Sequence, residues 1–409
     1  MRTTIRAFLT LVMVLGTATG TLLWAADYAT AETDANDLRF YRPAVTTAPY
    51  PLTSADRVRN VILCIGDGMG VSHVALANLK ANGVGGKLHM ERLPVAGLVR
   101  THSADSLVTD SAASGTAMAC GVKTDNGMIG MTPDGQAWCT LLELAQDKGM
   151  ATGLIATSTI THATPASFGA HVKSRKMEDR IAEHLVANRI NVIFGGGRKY
   201  FLPQADPNSG RKDDTDLIAQ ARQADYMVIT TASELQSIRY PYMLGLFQLD
   251  ALTTVEPEPC LAMLTEQAID ALQHANPTST GQNQDQPGFF LMVEGSQIDW
   301  AGHSNDDVGV VRQTLLFDQA VEKAVDFALR EGNTLVIVTS DHETGGLTLT
   351  TKHGTPVPNW STKGHSGTPV PIWALGPGAE HFAGVQDNTD IPKKIARLLD
   401  IRPFPRPKP

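Results

Sequence analysis

Acidic residues and histidines recur in this sequence immediately after short apolar runs, and one such position holds a serine. Asp67 follows an apolar run in VILCIGDGMG, Asp341 and His342 follow another in LVIVTSDHETGG, and Asp110 precedes Ser111 in VTDSAASGTA. An α/β sheet presents its chemistry at the carboxyl ends of its strands, so these groups are expected to converge. Carboxylates together with imidazoles are a ligand set that suits zinc.

A further cluster, in FFLMVEGSQIDWAGH, contains Glu294, Asp299 and His303. Asp299 and His303 are four residues apart, which places both side chains on one face of a helical turn. His365, in STKGHSG, could complete a set of three metal ligands with them. A surface turn is the alternative for each cluster taken alone, and their joint occurrence favours a site with several metal ions around one serine.

Ser111 is the candidate nucleophile. Asp110 can act as a helix N-cap, and the segment SAASGTAMA that follows has a helix-forming composition. A serine in the first helical turn lies among unpaired N–H groups at the positive end of the helix dipole, where a phosphate is stabilised. The alternative is that Asp-Ser is only a common way to begin a helix.

From Asn60 onward, apolar runs alternate with segments of helical periodicity. The strand candidates are Val61–Ile65, Thr152–Ala156, Val192–Phe194, Met227–Thr230, Phe289–Val293, Leu335–Thr339 and Val370–Leu375. The helix candidates are Ser72–Lys80, Ser111–Ala119, Thr140–Lys148, Cys260–His274, Asp306–Leu329 and Ile391–Leu399. Several strand candidates are apolar throughout, which is typical of strands covered on both faces. The alternation predicts a three-layer α/β/α sandwich with a large, mostly parallel central sheet.

The chain is expected to have four parts: a secretory signal peptide (1–31), an N-terminal arm (32–59), one α/β domain (60–400) and a proline-rich tail (401–409). In the first part, basic residues precede an apolar run, and small residues at cleavage spacing follow it. An uncleaved membrane anchor is the alternative. The predicted location is the periplasm or the cell exterior, without stable membrane association after cleavage.

The overall composition is that of an ordinary globular protein. The 409 residues are 42% hydrophobic and 19% charged, and the formal net charge of -8 gives no indication of nucleic-acid binding. Cys64 lies in a strand candidate and is expected to be a buried free thiol. Cys120 and Cys139 could pair after export, but the sequence does not decide this.

From Asn60 to Gly378 the chain resembles the alkaline phosphatase family. The motifs that show this are GDGMG, VTDSAASGTA, HATPASFGAHVKSR, VIFGGGRKYF, VEGSQIDWAGH, TSDHETGG and GHSG. The resemblance implies hydrolysis of phosphate monoesters at alkaline pH, with broad specificity, through a phosphoserine intermediate on Ser111. It also implies that Arg175 holds two phosphate oxygens.

The same resemblance implies two Zn²⁺ ions and one Mg²⁺ ion as cofactors. Their ligands would be Asp299, His303 and His365 for one zinc, Asp67, Asp341 and His342 for the other, and Asp67, Thr164 and Glu294 for the magnesium. Small phosphate monoesters would be the substrates, and a homodimer is usual in the family, although the sequence shows no interface.

Two positions depart from the enterobacterial pattern of the family, which has aspartate and lysine there. His162 is predicted to lie beside the magnesium without binding it directly, and Trp300 to line the phosphate pocket, with plain packing as its alternative. The pair resembles certain marine bacterial enzymes. The short interval between His342 and His365 predicts a compact form without the large crown domain of some relatives.

Two other functions are open. Another enzyme of the same superfamily, such as a phosphodiesterase or sulfatase, would share the metal cage but differ at the nucleophile, so that Ser111 with Arg175 favours the monoester. A non-catalytic exported protein that stores metal or phosphate is the second, and the complete set of ligand types argues against it.

Overall fold

The computed structural model of the protein describes residues 37–51, 57–275 and 287–409. The predicted signal peptide, residues 1–31, lies outside these ranges, as do residues 32–36 and 52–56 of the predicted arm. Within the described ranges, no helix has the length and apolar character needed to span a membrane.

A ten-stranded sheet lies at the centre of the protein, beside two small two-stranded sheets. The strands are β1 (Asn60–Gly66), β2 (Val95–Arg100), β3 (Ala151–Thr159), β4 (Val192–Gly196), β5 (Met227–Ile229), β6 (Met243–Leu246), β7 (Phe289–Gly295), β8 (Thr334–Thr339), β9 (Glu343–Thr344), β10 (Leu347–Lys352), β11 (Thr355–Trp360), β12 (His365–Ser366), β13 (Val370–Leu375) and β14 (Gly384–Asp387). The order across the large sheet is β14-β2-β13-β8-β1-β7-β3-β4-β6-β5. Its pairings are parallel except those of β13, which is antiparallel to β2 and β8.

Helices connect most of the strands. They are α1 (Val71–Asn82), α2 (Ser111–Cys120), α3 (Leu141–Asp147), α4 (Ala163–Gly169), α5 (Glu178–Ala187), α6 (Leu217–Gln223), α7 (Ala232–Ser237), α8 (Leu261–Ala275), α9 (Gln297–Ser304), α10 (Asp307–Glu331) and α11 (Asp390–Leu398).

The core consists of two apolar layers, one on each face of the sheet. In β1, Leu63 and Ile65 belong to the layer shared with α2 to α6 and α11, whereas Ile62 and Cys64 belong to the layer shared with α1, α8 and α10. All four side chains have no solvent exposure, and burying each apolar side chain of this size contributes about 1.5–3 kcal/mol. The predicted three-layer α/β/α sandwich is therefore confirmed.

The register of the parallel strands determines where their polar ends lie. Gly66 of β1 is opposite Gly295 of β7, and Ile65 is opposite Thr339 of β8. The three strands therefore end at nearly the same level. The residues at or just after these ends, including Asp67, come together at one edge of the sheet.

Some elements were not among the sequence candidates, notably β2, which is antiparallel to β13. Gly97 interrupts its short apolar run, so the sequence lacks a clear strand pattern, and in the structure only Val99 of this strand is buried. Glycine is required at position 97, because a Cβ there would lie 2.4 Å from the Gly384 carbonyl oxygen of β14. Only glycine lets the two backbones approach this closely.

Both ends of the described chain pack against the domain. In the arm, the Tyr41 hydroxyl donates to Asp318 on α10 at 2.8 Å. In the tail, the backbone N–H of Lys408 donates to the Ala137 carbonyl at 2.8 Å. Cys120 and Cys139 are buried free thiols, so the pairing that the sequence left open is not formed.

Candidate active site

Asp67 reaches the site because a tight glycine turn follows β1. Gly68 has φ of +71°, and a Cβ there would come within 2.7 Å of the Asp299 Cα atom. A side chain is therefore excluded at this position by both conformation and space. The Gly68 N–H donates to Asp341 Oδ1 at 3.0 Å, which fastens the loop after β1 to the loop after β8.

Asp67, Asp341 and His342 form the first cluster of candidate metal ligands, with one ligand atom of each within 4.8 Å of the others. The His342 Nε2 atom is 3.1 Å from Asp341 Oδ2 and 3.5 Å from Asp67 Oδ1. All three side chains are fully buried.

Asp299, His303 and His365 form the second cluster. The ring orientations follow from backbone hydrogen bonds, since His303 Nδ1 donates to the Lys363 carbonyl at 2.5 Å and His365 Nδ1 to the Thr109 carbonyl at 2.8 Å. The two Nε2 atoms consequently face each other at 3.2 Å. Fixing Nδ1 in this way is how proteins orient an imidazole whose Nε2 binds a metal.

Asp67, Glu294 and His162 form a third cluster, with ligand atoms within 4.8 Å of one another. Sequence reasoning placed Thr164, rather than His162, in this set. Thr164 lies near the start of α4, one residue beyond Ala163, and is fully buried. His162 lies beside the candidate ligands, and its role next to the magnesium without binding it stays a prediction.

Ser111 begins α2 and is almost completely buried. Asp110 caps the helix, because its Oδ1 accepts the Ala113 N–H at 2.9 Å. The Ser111 Oγ atom is 3.2 Å from His342 Nε2, so the hydroxyl lies directly beside the first cluster.

Arg175 lies beside this serine-bearing turn. Its Nη1 donates to Asp110 Oδ2 at 3.0 Å and its Nη2 donates to His162 Nε2 at 3.1 Å. The Trp300 ring stands edge-on to the His162 ring at a centroid distance of 6.3 Å. Asp110 was considered only as a helix cap at the sequence level, and its second role as the partner of Arg175 was missed.

Burial controls the protonation of the acidic side chains. It raises the pKa of Asp67 above its ordinary value, and repulsion from Asp341 adds to this effect. Burial likewise raises the pKa of Glu294 to about 7 and that of Asp341 to about 6. Burial also acts to raise the pKa of Asp299, but the nearby His303 imidazole helps to lower it below the usual range.

These residues fit divalent cations. Among the described residues, both Asp67 oxygens, Asp341 Oδ2, Glu294 Oε1 and Thr164 Oγ1 are buried without a hydrogen-bond partner. Buried oxygens of this kind need compensation, and a cation provides it for several at once. Burial also lowers the pKa of His342 below its ordinary value, which leaves a neutral imidazole able to bind metal.

Thr344 is a residue that sequence reasoning missed. Its hydroxyl donates to Asp299 Oδ1 and lies 3.3 Å from His342 Nδ1, so it contacts a member of each of the first two clusters. Its position two residues after His342 was the available signal.

Comparison with known proteins agrees with this geometry. The family model described as alkaline phosphatase matches residues 58–359 and 352–401. The chain belongs to the alkaline phosphatase family. Members of this family are metal-dependent hydrolases of phosphate monoesters, and the residues that carry the resemblance are those assembled at the carboxyl edge of the sheet.

Individual relatives are similar over most of the chain. Alkaline phosphatase 4 of Bacillus subtilis (strain 168) is 42% identical over 308 residues, a match that spans 71% of this chain and 63% of that protein. The alkaline phosphatase of the Antarctic bacterium TAB5 is 37% identical, with a TM-score of 0.76, covering 85% of this chain and 99% of that one. A histidine-to-aspartate variant of the TAB5 enzyme, solved with Mg bound in its M3 site, has a TM-score of 0.75 at 37% identity and covers 86% of this chain and 100% of the other.

Proposed function

We propose that this protein hydrolyses phosphate monoesters at alkaline pH with Ser111 as the nucleophile. The observation on which the proposal depends is the position of the Ser111 hydroxyl. It lies at the N-terminus of α2 and 3.2 Å from His342 Nε2 of the buried first cluster, and the Arg175 guanidinium donates to Asp110, the residue just before it. A nucleophile, an anion-binding helix end and a planar cation are thereby gathered around one point.

Three sets of residues would hold divalent cations. We assign one zinc to Asp299, His303 and His365, a second to Asp67, Asp341 and His342, and a magnesium to Asp67, Glu294 and Thr164. His162 is not a metal ligand in this assignment, because its Nε2 atom already accepts a hydrogen bond from Arg175. When bound, such cations favour loss of the serine proton and stabilise the departing alkoxide.

The reaction then has two displacements. The Ser111 oxygen attacks phosphorus, the bond to the alcohol oxygen breaks, and the alcohol leaves with a phosphoserine remaining. Water next attacks the phosphoserine, the bond to the serine oxygen breaks, and inorganic phosphate leaves as Ser111 regains a proton.

Arg175 and helix α2 would stabilise the negative charge of the phosphoryl group as it is transferred. The planar guanidinium can bind two phosphoryl oxygens at once, and the N-terminal end of α2 at Ser111 favours an anion. These contacts are made to the phosphoryl group rather than to the alcohol, so we expect many alcohols to be accepted.

Export to the periplasm or the cell exterior is part of the proposal, since residues 1–31 have the pattern of a secretory signal peptide. Assembly as a homodimer, which is usual in the family, stays a prediction.

The decisive experiment combines turnover with trapping of the intermediate. Wild-type protein supplied with zinc and magnesium is expected to hydrolyse nitrophenyl phosphate at alkaline pH, and acid quenching with labelled substrate is expected to leave label on Ser111. Ser111→Ala should abolish both signals. Ser233→Ala, at an exposed position on α7, is the matched control and should behave as wild type.

Two results would contradict the proposal. One is activity that survives both a strong chelator and Ser111→Ala. The other is a higher kcat/KM for a phosphate diester than for the corresponding monoester, which would favour a phosphodiesterase of the same superfamily.

A further inference from the structure

A buried glutamate, Glu343, connects the segments that contain His342 and His365. It follows His342 directly and retains only 4% of its exposure to solvent. Its Oε2 accepts the hydroxyl of Ser366, the residue after His365. One carboxylate thereby joins the neighbours of two candidate ligands that belong to different clusters.

The same carboxylate also holds the turn that follows. Its oxygens accept the N–H of Gly346 at 3.2 Å and the N–H of Leu347 at 3.0 Å. Gly345 and Gly346 both have positive φ, and successive N–H groups in such a turn form a concave site for an anion. The Gly345 N–H in turn donates to the Gly364 carbonyl at 2.9 Å, immediately before His365.

The backbone pairing between the His342 segment and the His365 segment is short. Strands β9 and β12 pair over only two positions, Glu343 with Ser366 and Thr344 with His365. Two residue pairs do not form a stable sheet by themselves. Besides the Gly345–Gly364 backbone hydrogen bond, side-chain links therefore help to fix how the His365 segment lies against the His342 segment.

The packing at Gly70 restricts Glu343 from the other side. A Cβ at Gly70 would overlap the Glu343 Cγ atom, so the loop after β1 is packed directly against this side chain. Because Gly70 is three residues after Asp67, the Glu343 side chain contacts three of the four segments that supply candidate zinc ligands, the fourth being the helix α9 that carries Asp299 and His303.

We propose that Glu343 is a positioning residue that, through Ser366, fixes His365 where it completes the cluster with Asp299 and His303. The close packing of the His365 and His342 rings leaves little room for His365 to move. The His365 ring stacks on the His342 ring at a centroid distance of 3.6 Å with an interplanar angle of 20°. Loss of the link would release the His365 segment and loosen that cluster first. This inference rests on the proposed metal assignment.

The experiment measures metal binding rather than turnover. Metal-free wild type, Glu343→Gln and Ser366→Ala are loaded with Co²⁺, whose visible absorption reports coordination geometry, and Zn²⁺ affinity is measured by competition with a chromophoric chelator. Each variant should lose about 10-fold or more in the affinity of one zinc, the usual size of an effect from residues that orient ligands. Each should also show a changed Co²⁺ spectrum.

Comparison variants separate positioning from general destabilisation. His365→Ala should change the same part of the cobalt spectrum, because it removes the ligand that Glu343 is proposed to orient. Glu380→Gln, at an exposed position outside the site, should match wild type in both readouts. Melting temperatures and circular dichroism establish that Glu343→Gln and Ser366→Ala are folded.

The outcomes are distinct. If wild type binds both metals normally and the two variants show unchanged affinity and spectrum, the inference is overturned even if their melting temperatures fall, and the proposed function stands. If wild type binds neither cobalt nor zinc, the proposed function fails and this inference fails with it.

Discussion

The carboxylate of Asp110 contacts both helix α2 at Ser111 and Arg175, the two groups that we propose to bind phosphate. Its Oδ1 caps helix α2, whose first residue is Ser111, and its Oδ2 accepts from Arg175 Nη1 at 3.0 Å and from the Gly127 N–H at 3.0 Å. One side chain therefore contacts both the helix end that carries the proposed nucleophile and the guanidinium of Arg175.

Asp110→Asn should weaken phosphate binding. Asparagine can still cap α2 through its oxygen, but its amide nitrogen cannot accept from Arg175 Nη1 or from the Gly127 N–H. Arg175 then has more freedom before phosphate binds. We expect the inhibition constant for inorganic phosphate to rise by up to about 10-fold, or about 1.4 kcal/mol of binding free energy.

The measurement is competitive inhibition by phosphate, with the melting temperature as the control for helix capping. Asp105→Asn, an exposed acidic residue in the same loop, is the matched substitution and should leave inhibition unchanged. An unaltered inhibition constant in Asp110→Asn would show that Arg175 is not restrained by this contact.

Trp300→Lys should tighten the binding of inorganic phosphate. The indole stands against His162, which itself accepts from Arg175, so the position borders the place where a phosphate would lie. A lysine ammonium adds an attractive charge there. Trp300→Phe serves as the control, because it keeps an aromatic ring without adding charge. The same inhibition constant in Trp300→Lys and wild type would favour plain packing for Trp300.

The positions of several site residues can be predicted from the sequence, because the end of an apolar run marks the end of a strand. β1, β7 and β8 read as uninterrupted apolar runs, and parallel neighbours end at one edge, so convergence of Asp67, Glu294 and Asp341 could be predicted. The antiparallel strand β2 could not be predicted, since its apolar run is short and is interrupted by Gly97.

Contacts between loops are beyond such reasoning. Asp110 and Arg175 are 65 residues apart, and Glu343 and Ser366 are 23 apart. No periodicity relates these positions, and their approach depends on how the turns between strands close. The sequence therefore indicates which residues bind or react but not the residues that orient them.

Glu143 should contribute to stability in a pH-dependent way, away from the metal-binding edge. Burial acts to raise its pKa, but the His171 imidazole at 3.0 Å, the Lys408 ammonium and the Thr140 N–H lower it to about 2 from the ordinary value of 4.5. A lowered pKa means that the stabilisation is complete above about pH 4.5 and is lost as the pH falls toward 2.

Glu143→Gln should accordingly lower the free energy of unfolding by about 2 kcal/mol at pH 7, and by progressively less below about pH 4.5. Urea unfolding at several pH values measures both effects. Glu380→Gln, whose side chain is exposed, is a control with little effect at pH 7. A penalty for Glu143→Gln that stays constant from pH 7 to pH 3 would contradict the pKa assignment.

Removal of metal should destabilise the protein, because the buried carboxylates would then face one another without a cation. The Asp67 carboxylate is repelled by Asp341 and Glu294, and neither of its oxygens has a hydrogen-bond partner among the described residues. A ligand that binds only the native state adds RT ln(1 + [L]/Kd), about 4 kcal/mol when free zinc is 1,000 times its Kd. The melting temperature should fall on chelation and recover when zinc is restored.

His303→Ala should reduce the difference in melting temperature between the metal-free and zinc-loaded proteins. His274→Ala, at an exposed position on α8, should leave that difference unchanged. Equal melting temperatures with and without zinc would mean that the carboxylates are compensated by some means other than a cation.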